Sequence, residues 1–272
     1  MSATELHAHP SADFETKLAE SRLVLQQAAF NYQVGSPETT EITQASSLGA
    51  EDVVITHMAN TLDLGLPLFV LDTGMLHPQT LQLLRKTVLA NPARVSVFTP
   101  ITEATISFVS QHGKDAMYQS VELRKSCCHI RKVEPLERAL AGKKAWITGL
   151  RREQSNARAE VPLIDDSAPR IKINPLANWT WGDVWHYIQL HAVPYNPLHD
   201  EFFPSIGCAP CTRAIALGED FRAGRWWWED PSSGGSAKEC GLHVKDDLLP
   251  GQMDPSDPVF GWAETAMSEL KA

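Results

Sequence analysis

Leu68-Phe69-Val70-Leu71-Asp72-Thr73-Gly74 is an apolar run that stops abruptly in small and polar residues. Four consecutive apolar side chains leave no face for solvent. The run therefore reads as a strand covered on both sides, which is the pattern of a parallel sheet under helices. Ligands of such sheets gather beyond the carboxyl ends of the strands, so Asp72, Thr73 and Gly74 become candidate binding residues.

The same alternation extends outward from this strand. Upstream, apolar positions Leu18, Val24, Leu25, Ala28 and Ala29 predict a helix from Asp13 to Tyr32. Glu41 to Ala45 reads as a short strand running into Ser46-Ser47-Leu48-Gly49, after which Val54, Met58 and Leu62 share one helical face. A strand, a small-residue turn and a helix start make a cradle for an anion, because backbone N–H groups and the helix dipole point the same way. The turn lacks the Gly-Lys-[Ser/Thr] ending of a Walker loop. Downstream, the pattern predicts a helix from Pro78 to Ala90 stopped by Asn91-Pro92, a strand from Arg94 to Thr99 and a helix from Glu103 to His112. It continues with a helix from Val133 to Ala141 and, from Lys144 to Leu150, a strand running into a turn. Arg151-Arg152 follow that strand end, as a solvated surface or as an anion clamp. Ile171 to Ile173 reads as a last strand. Thr180 caps a helix through His191 whose tryptophans, Trp181 and Trp185, read as packing. The fold class expected is α/β, a parallel twisted sheet flanked by helices.

The chain has 272 residues, of which 43% are hydrophobic and 21% charged, ordinary for a globular protein. A net charge of −9 argues against nucleic acid as a partner but allows a local cationic pocket. No apolar run is long enough for a membrane helix, and residues 1–13 lack the basic start and apolar stretch of a signal peptide. Five cysteines in motif spacing point to a reducing compartment, and the expected location is the cytoplasm. Three regions are expected: a disordered start, residues 1–12; an α/β domain, residues 13–229; and a flexible C-terminal segment, residues 230–272.

Four of the five cysteines form an adjacent pair, Cys127-Cys128, and a C-x-x-C, Cys208-Ala209-Pro210-Cys211. Neighbouring cysteines point apart and suit one tetrahedral zinc poorly, whereas they can reach different iron atoms of a wider cluster. Lys125, Arg131 and Lys132 flank the pair and would offset the negative charge of such a cluster. The plainer alternative is a redox pair or half a zinc site, with Cys127-Cys128 as packing. Cys240 stands apart. It follows a Ser/Gly-rich stretch, residues 231–237, and lies beside Lys238 and His243, which suits a mobile thiolate.

Ser46-Ser47-Leu48-Gly49, Leu71-Asp72-Thr73-Gly74 and Thr148-Gly149-Leu150-Arg151-Arg152 have counterparts in a known family. So do Pro204-Ser205-Ile206-Gly207-Cys208-Ala209-Pro210-Cys211, Arg222-Ala223-Gly224-Arg225-Trp226-Trp227-Trp228 and Lys238-Glu239-Cys240-Gly241-Leu242-His243. Together they resemble the assimilatory sulfonucleotide reductases over about residues 20–245. The cysteine quartet is similar to the branch that carries a [4Fe–4S] cluster and reduces adenylyl sulfate. The resemblance implies an adenine-nucleotide α-hydrolase fold of the ATP pyrophosphatase type, although the Ser-Gly-Gly-x-Asp-Ser loop of pyrophosphatases is absent here. It implies a [4Fe–4S] cofactor on Cys127, Cys128, Cys208 and Cys211, and Cys240 as the catalytic nucleophile. It implies substrate contacts from Ser46, Ser47, Gly49, Asp72, Thr73, Gly74, Lys132, Arg151, Arg152, Arg222, Arg225 and His243. The implied partners are adenylyl sulfate, thioredoxin or a similar thiol carrier, and further copies of the chain in a homo-oligomer.

Overall fold

Six strands form one sheet in the order β3-β2-β1-β4-β6-β5. They are β1 (Ile42–Ser46), β2 (Leu68–Leu71), β3 (Val95–Phe98), β4 (Ala145–Ile147), β5 (Ile164–Asp165) and β6 (Ile171–Ile173). All neighbours run parallel except β5, which is antiparallel to β6. The computed structural model describes residues 1–32, 40–91 and 94–229.

The helices are α1 (Ala3–His7), α2 (Phe14–Tyr32), α3 (Ala50–Thr61), α4 (Pro78–Ala90), α5 (Thr102–His112), α6 (Val121–Cys128), α7 (Glu134–Ala139) and α8 (Trp181–Leu190). Of these, α2, α3, α4, α5, α7 and α8 fall where the sequence predicts helices. Pro78 starts α4 without cost because its missing N–H would have had no partner in a first turn. Thr180 caps α8, its hydroxyl accepting from the Asp183 amide while Asp183 reaches back to the Thr180 amide.

Position in the sheet follows from burial. Strand β1 is covered on both faces and lies between β2 and β4. Its one long polar side chain, Gln44, is satisfied internally: Nε2 donates to the Asp52 carbonyl at 2.9 Å and Oε1 accepts from the Thr56 hydroxyl at 3.0 Å. From β1 the chain builds toward β2 and β3, then crosses to β4 on the other side. The strand order therefore reverses between β1 and β4, and the crevice outside their carboxyl ends is the switch point of the sheet. One main core packs α2, α3 and α8 on the sheet, with Leu25, Ile55, Trp179 and Trp185 among its fully buried side chains.

One expectation needs correction, and two elements had no forecast in the sequence. Residues 1–12 are not disordered: Ala3 to His7 form a helix with a Ser2/Glu5 capping box, and Ala3 is buried. The polar composition of this stretch hid an ordering that comes from specific contacts with α8 rather than from an apolar face. Strand β5 carried no sequence signal, having two residues of which Ile164 is exposed. The cysteine pair lies on helix α6, which continues into a π-helical turn, His129–Val133, before α7.

Candidate functional site: a carboxylate-filled turn beside a thiol-lined pocket

At the carboxyl end of β1 the chain turns through Ser46-Ser47-Leu48-Gly49 into α3. Leu48 is buried and held at φ 61°, a left-handed conformation that a branched side chain adopts only when its surroundings enforce it. The enforcing group is Asp52. Its Oδ2 accepts from the Ser47 amide at 2.6 Å and from the Ser47 hydroxyl at 2.7 Å. The Leu48 amide donates to the Ser46 hydroxyl at 3.2 Å, and the Gly49 amide to the Ser47 hydroxyl at 3.4 Å. This modifies the simple anion cradle expected from sequence, because a carboxylate of the same turn already takes the amide an anion would use. Burial pushes the Asp52 carboxyl up to about 6, against the pull of its Ser47 hydrogen bonds.

Glu51, the neighbour of Asp52, has the opposite fate. Burial raises its carboxyl, but the Arg151 charge and the Gln154 amide outweigh that and leave it below the ordinary carboxylate range. Arg151 Nε donates to Glu51 Oε1 at 2.9 Å, and its Nη1 donates to Glu153 Oε2 at 2.8 Å and to the Trp179 carbonyl at 3.2 Å. The guanidinium also faces the rings of Trp181 at 5.3 Å and Phe221 at 5.9 Å. Arg151 is 0% exposed, and these bonds make it a buried strut that ties the β4 turn to α3. Arg152 is exposed and donates to the Val161 carbonyl and to Asn178.

The second half of the site begins at the end of β2. Asp72 Oδ1 accepts from the Gly74 amide at 3.0 Å, which turns the chain, and Thr73 faces the C-x-x-C loop. The Thr73 hydroxyl lies 3.2 Å from Cys208 Sγ, and the Ala209 amide donates to the Met75 carbonyl at 2.7 Å. Cys127 and Cys128 approach from the end of α6. All four cysteines line one pocket together with Met75, Met117, Arg124, Arg131 and Lys132. Arg131 Nη1 donates to the Thr73 carbonyl at 2.7 Å. Burial, then the neighbouring cysteines, push the Cys211 thiol up to about 12; burial likewise raises that of Cys127.

Trp226 closes this side, held at φ 46° and 1% exposed. Three arginines surround its ring: Arg124 at 4.5 Å, Arg225 at 4.8 Å and Arg222 at 6.0 Å. Arg124 pairs with Glu229, and Arg225 Nη1 reaches Ser205 and the Ile206 carbonyl at 3.4 Å each. Arg225 is buried, stacks on Trp226 and supports the loop at Ser205 and Ile206. Arg222 and Lys132 are half-buried. Cys240 and His243 lie outside the described residues.

The pocket suits a thiolate-bound, acceptor-rich group. Arg124 Nη1 and the Trp226 indole N–H are both buried beside it without a protein acceptor, and the cations lining it would balance an anionic sulfide cluster. Among the described residues, no group of three or more His, Cys, Asp or Glu side chains is arranged to hold a single metal ion. Sequence reasoning passed over Glu51, Asp52, Arg124 and Gln154. Acidic residues in a first helical turn were a legible signal for the first two. Nothing local connects Glu51 to Arg151, or Arg124 to Glu229.

Residues 41–214 match the family model described as the phosphoadenosine phosphosulfate reductase domain. The chain is 51% identical over 211 residues to the adenosine 5′-phosphosulfate reductase of Allochromatium vinosum, an alignment covering 77% of this chain and 81% of that relative. The phosphoadenylyl-sulfate reductase of Candida auris, solved as a phosphate complex, superposes with a TM-score of 0.58 at 31% identity, covering 70% of this chain and 88% of that one. Yeast FAD synthetase shares the fold, with a TM-score of 0.52 at 14% identity over 78% of this chain and 73% of that one. With a parallel sheet whose switch point opens beside four converging cysteines, the chain belongs to the sulfonucleotide reductase family, in its adenosine 5′-phosphosulfate reductase branch.

Proposed function

We propose that this protein is an oxidoreductase of sulfate assimilation that reduces adenylyl sulfate to sulfite and AMP with electrons from thiols. The observation that carries this reading is that two neighbouring inner strands end in a carboxylate-lined turn after β1 and a cation-lined cysteine pocket after β2. A nucleoside offers hydroxyl and amino donors, which suit Asp52 and its turn. A phosphosulfate offers only acceptors, which suit Lys132 and Arg222. Asp72, Thr73 and Gly74, which follow β2 and meet the cysteine pocket at Thr73, are proposed as further substrate contacts.

The reaction divides into two displacements at sulfur. The Cys240 thiolate attacks the sulfate sulfur, forms an S–S bond and breaks the bond from sulfur to the bridging oxygen, so that AMP leaves with the electron pair. A thiolate of a carrier such as thioredoxin then attacks Cys240 Sγ. Sulfite departs with the pair of the S–S bond, and a second carrier thiol resolves the mixed disulfide. Sulfur gains two electrons, and two thiols supply them.

Cys127, Cys128, Cys208 and Cys211 would hold a [4Fe–4S] cluster, which would supply a fixed electrostatic field rather than electrons. Lys132 lines that pocket, and its proposed role is to bind the phosphosulfate and orient it for in-line attack. A cytoplasmic setting and association into a homo-oligomer complete the proposal; among the described residues, no helix is long and apolar enough to cross a membrane.

The test is sulfite release from adenylyl sulfate with reduced thioredoxin. The reading requires stoichiometric sulfite and AMP that depend on both reactants. Splitting of ATP to pyrophosphate, or no turnover by iron-replete protein, would overturn it.

A further inference from the structure

The first twelve residues lie outside the matched domain, residues 41–214, yet they are docked by contacts too specific for a loose tail. The Ala3 amide donates to Asp200 Oδ1 at 2.6 Å, and the same carboxylate accepts from the Tyr195 hydroxyl at 2.9 Å. Ser11 donates to Asp183 Oδ1 through its amide at 2.7 Å and its hydroxyl at 2.8 Å. Asp183 is the residue that completes the cap of α8, so the arm is fastened to the start of that helix at a group that already has work there.

Between these two anchors the arm crosses Gly182 at van der Waals range. A Cβ built on Gly182 would lie 2.0 Å from the His9 carbonyl oxygen, a distance no side chain tolerates. Glycine is otherwise a poor choice in a first helical turn, where alanine is favoured by about 1 kcal/mol. The position is explained by the close approach of the arm.

Where the arm passes, His7 sets its ring against Trp181 at 5.9 Å and Trp185 at 6.4 Å. Trp181 is the junction. Arg151 stacks on it at 5.3 Å, Phe221 meets it edge-on at 5.0 Å, and its amide donates to Glu153 Oε2 at 2.5 Å. His199 completes the surroundings at 6.0 Å from Trp181, its ring kept neutral by burial, which lowers it to about 4. From Trp181 the chain of contacts runs through Arg151 to Glu51, in the first turn of α3, and through Phe221 to Arg222.

We infer that the N-terminal arm, residues 1–12, is a positioning element of the substrate site. By holding Trp181, it sets the place of the Arg151 guanidinium and thereby the β1–α3 turn on one side and the Arg222 segment on the other. The arm touches no reacting group. Its effect belongs to substrate binding, and this part of the inference rests on the reductase reading above.

Gly182→Ala is the sharpest test, since it favours the helix while leaving no room for the arm. His7→Ala is the second variant, because it removes only the ring from Trp181. Hydrogen exchange in substrate-free protein should show residues 3–9 exposed in Gly182→Ala, with exchange at residues 46–52 and 151–154 faster by about tenfold. The KM for adenylyl sulfate should rise about tenfold with kcat within about twofold, and His7→Ala should shift both readouts in the same direction by less. Iron content should equal that of wild type. Three results would each overturn the inference: an arm that stays protected in Gly182→Ala, an arm released with no change at 46–52 and 151–154, or a fall in kcat with KM unchanged. If wild-type protein releases no sulfite from adenylyl sulfate, the reductase reading falls, and the exchange data still decide whether the arm supports the turn.

Discussion

Arg151 Nε and Glu51 Oε1 meet at 2.9 Å across the switch point of the sheet, with side-chain exposures of 1% and 10%. One residue follows β4 and the other opens α3, so this pair joins the two loops that bound the crevice. A buried pair costs solvation for both charges, and its worth is best seen by removing one partner.

Arg151→Met should leave the Glu51 carboxylate buried without its counter-charge, with Gln154 Nε2 at 3.0 Å among its remaining neutral donors. The expected loss is about 3–5 kcal/mol in urea unfolding. Adding Glu51→Gln should recover part of that loss, because no uncompensated charge remains. Additive losses in the double-mutant cycle would mean that the two residues do not act as a pair.

Asp52 predicts a pH dependence. Its carboxyl stands at about 6 in the folded protein against an ordinary 3.8, so folding holds that proton more tightly than the unfolded chain does. Stability from this group is complete below the ordinary value and is lost as the pH rises through about 6, a change of about 3 kcal/mol. Asp52→Asn should flatten the stability profile between those limits relative to wild type. Parallel profiles for the two proteins would show that the carboxyl titrates normally.

Gly224 lies in the segment that carries Arg222, Arg225 and Trp226. An added Cβ there would come within 2.3 Å of the Arg213 carbonyl oxygen, a backbone atom that cannot move away cheaply. Gly224→Ala should cost about 2–3 kcal/mol by overpacking and should displace the Trp226 ring from its arginines. Quenching of tryptophan fluorescence and the denaturation midpoint check this. An unshifted midpoint would show that the segment adapts without strain.

The cysteines should divide into two groups by chemistry. Cys208→Ser removes a thiol from the pocket and should cause loss of iron and sulfide from anaerobically purified protein. Cys240→Ser should keep both at wild-type levels and lower sulfite formation by several orders of magnitude, because a serine hydroxyl is scarcely ionised near neutral pH. Wild-type protein mixed with adenylyl sulfate alone should gain the mass of a sulfonate on the Cys240 peptide, which reduced thioredoxin removes. An adduct on Cys208 or Cys211 would reverse these roles.

The sequence by itself determined the periodic part of the fold. Leu68–Leu71 as a buried strand, Pro78–Ala90 as a helix and Ile171–Ile173 as a strand were legible to the residue, because burial and capping act within a few positions. The cysteine spacing likewise announced four thiols meeting at one place. Tertiary structure alone decided which charges were available for binding. Arg151 and Arg225 read as free cations from their neighbours in sequence, yet each is buried against groups far along the chain, Glu51 for one and the Ser205–Gly207 loop for the other. The N-terminal arm misled for the same reason. Its order comes from two carboxylates, Asp183 and Asp200, and from the empty space at Gly182, all brought to it by the folding of α8 and the loop that follows. Local pattern fixes which residues form an element; the partner of a buried polar group is chosen by the packing of distant ones.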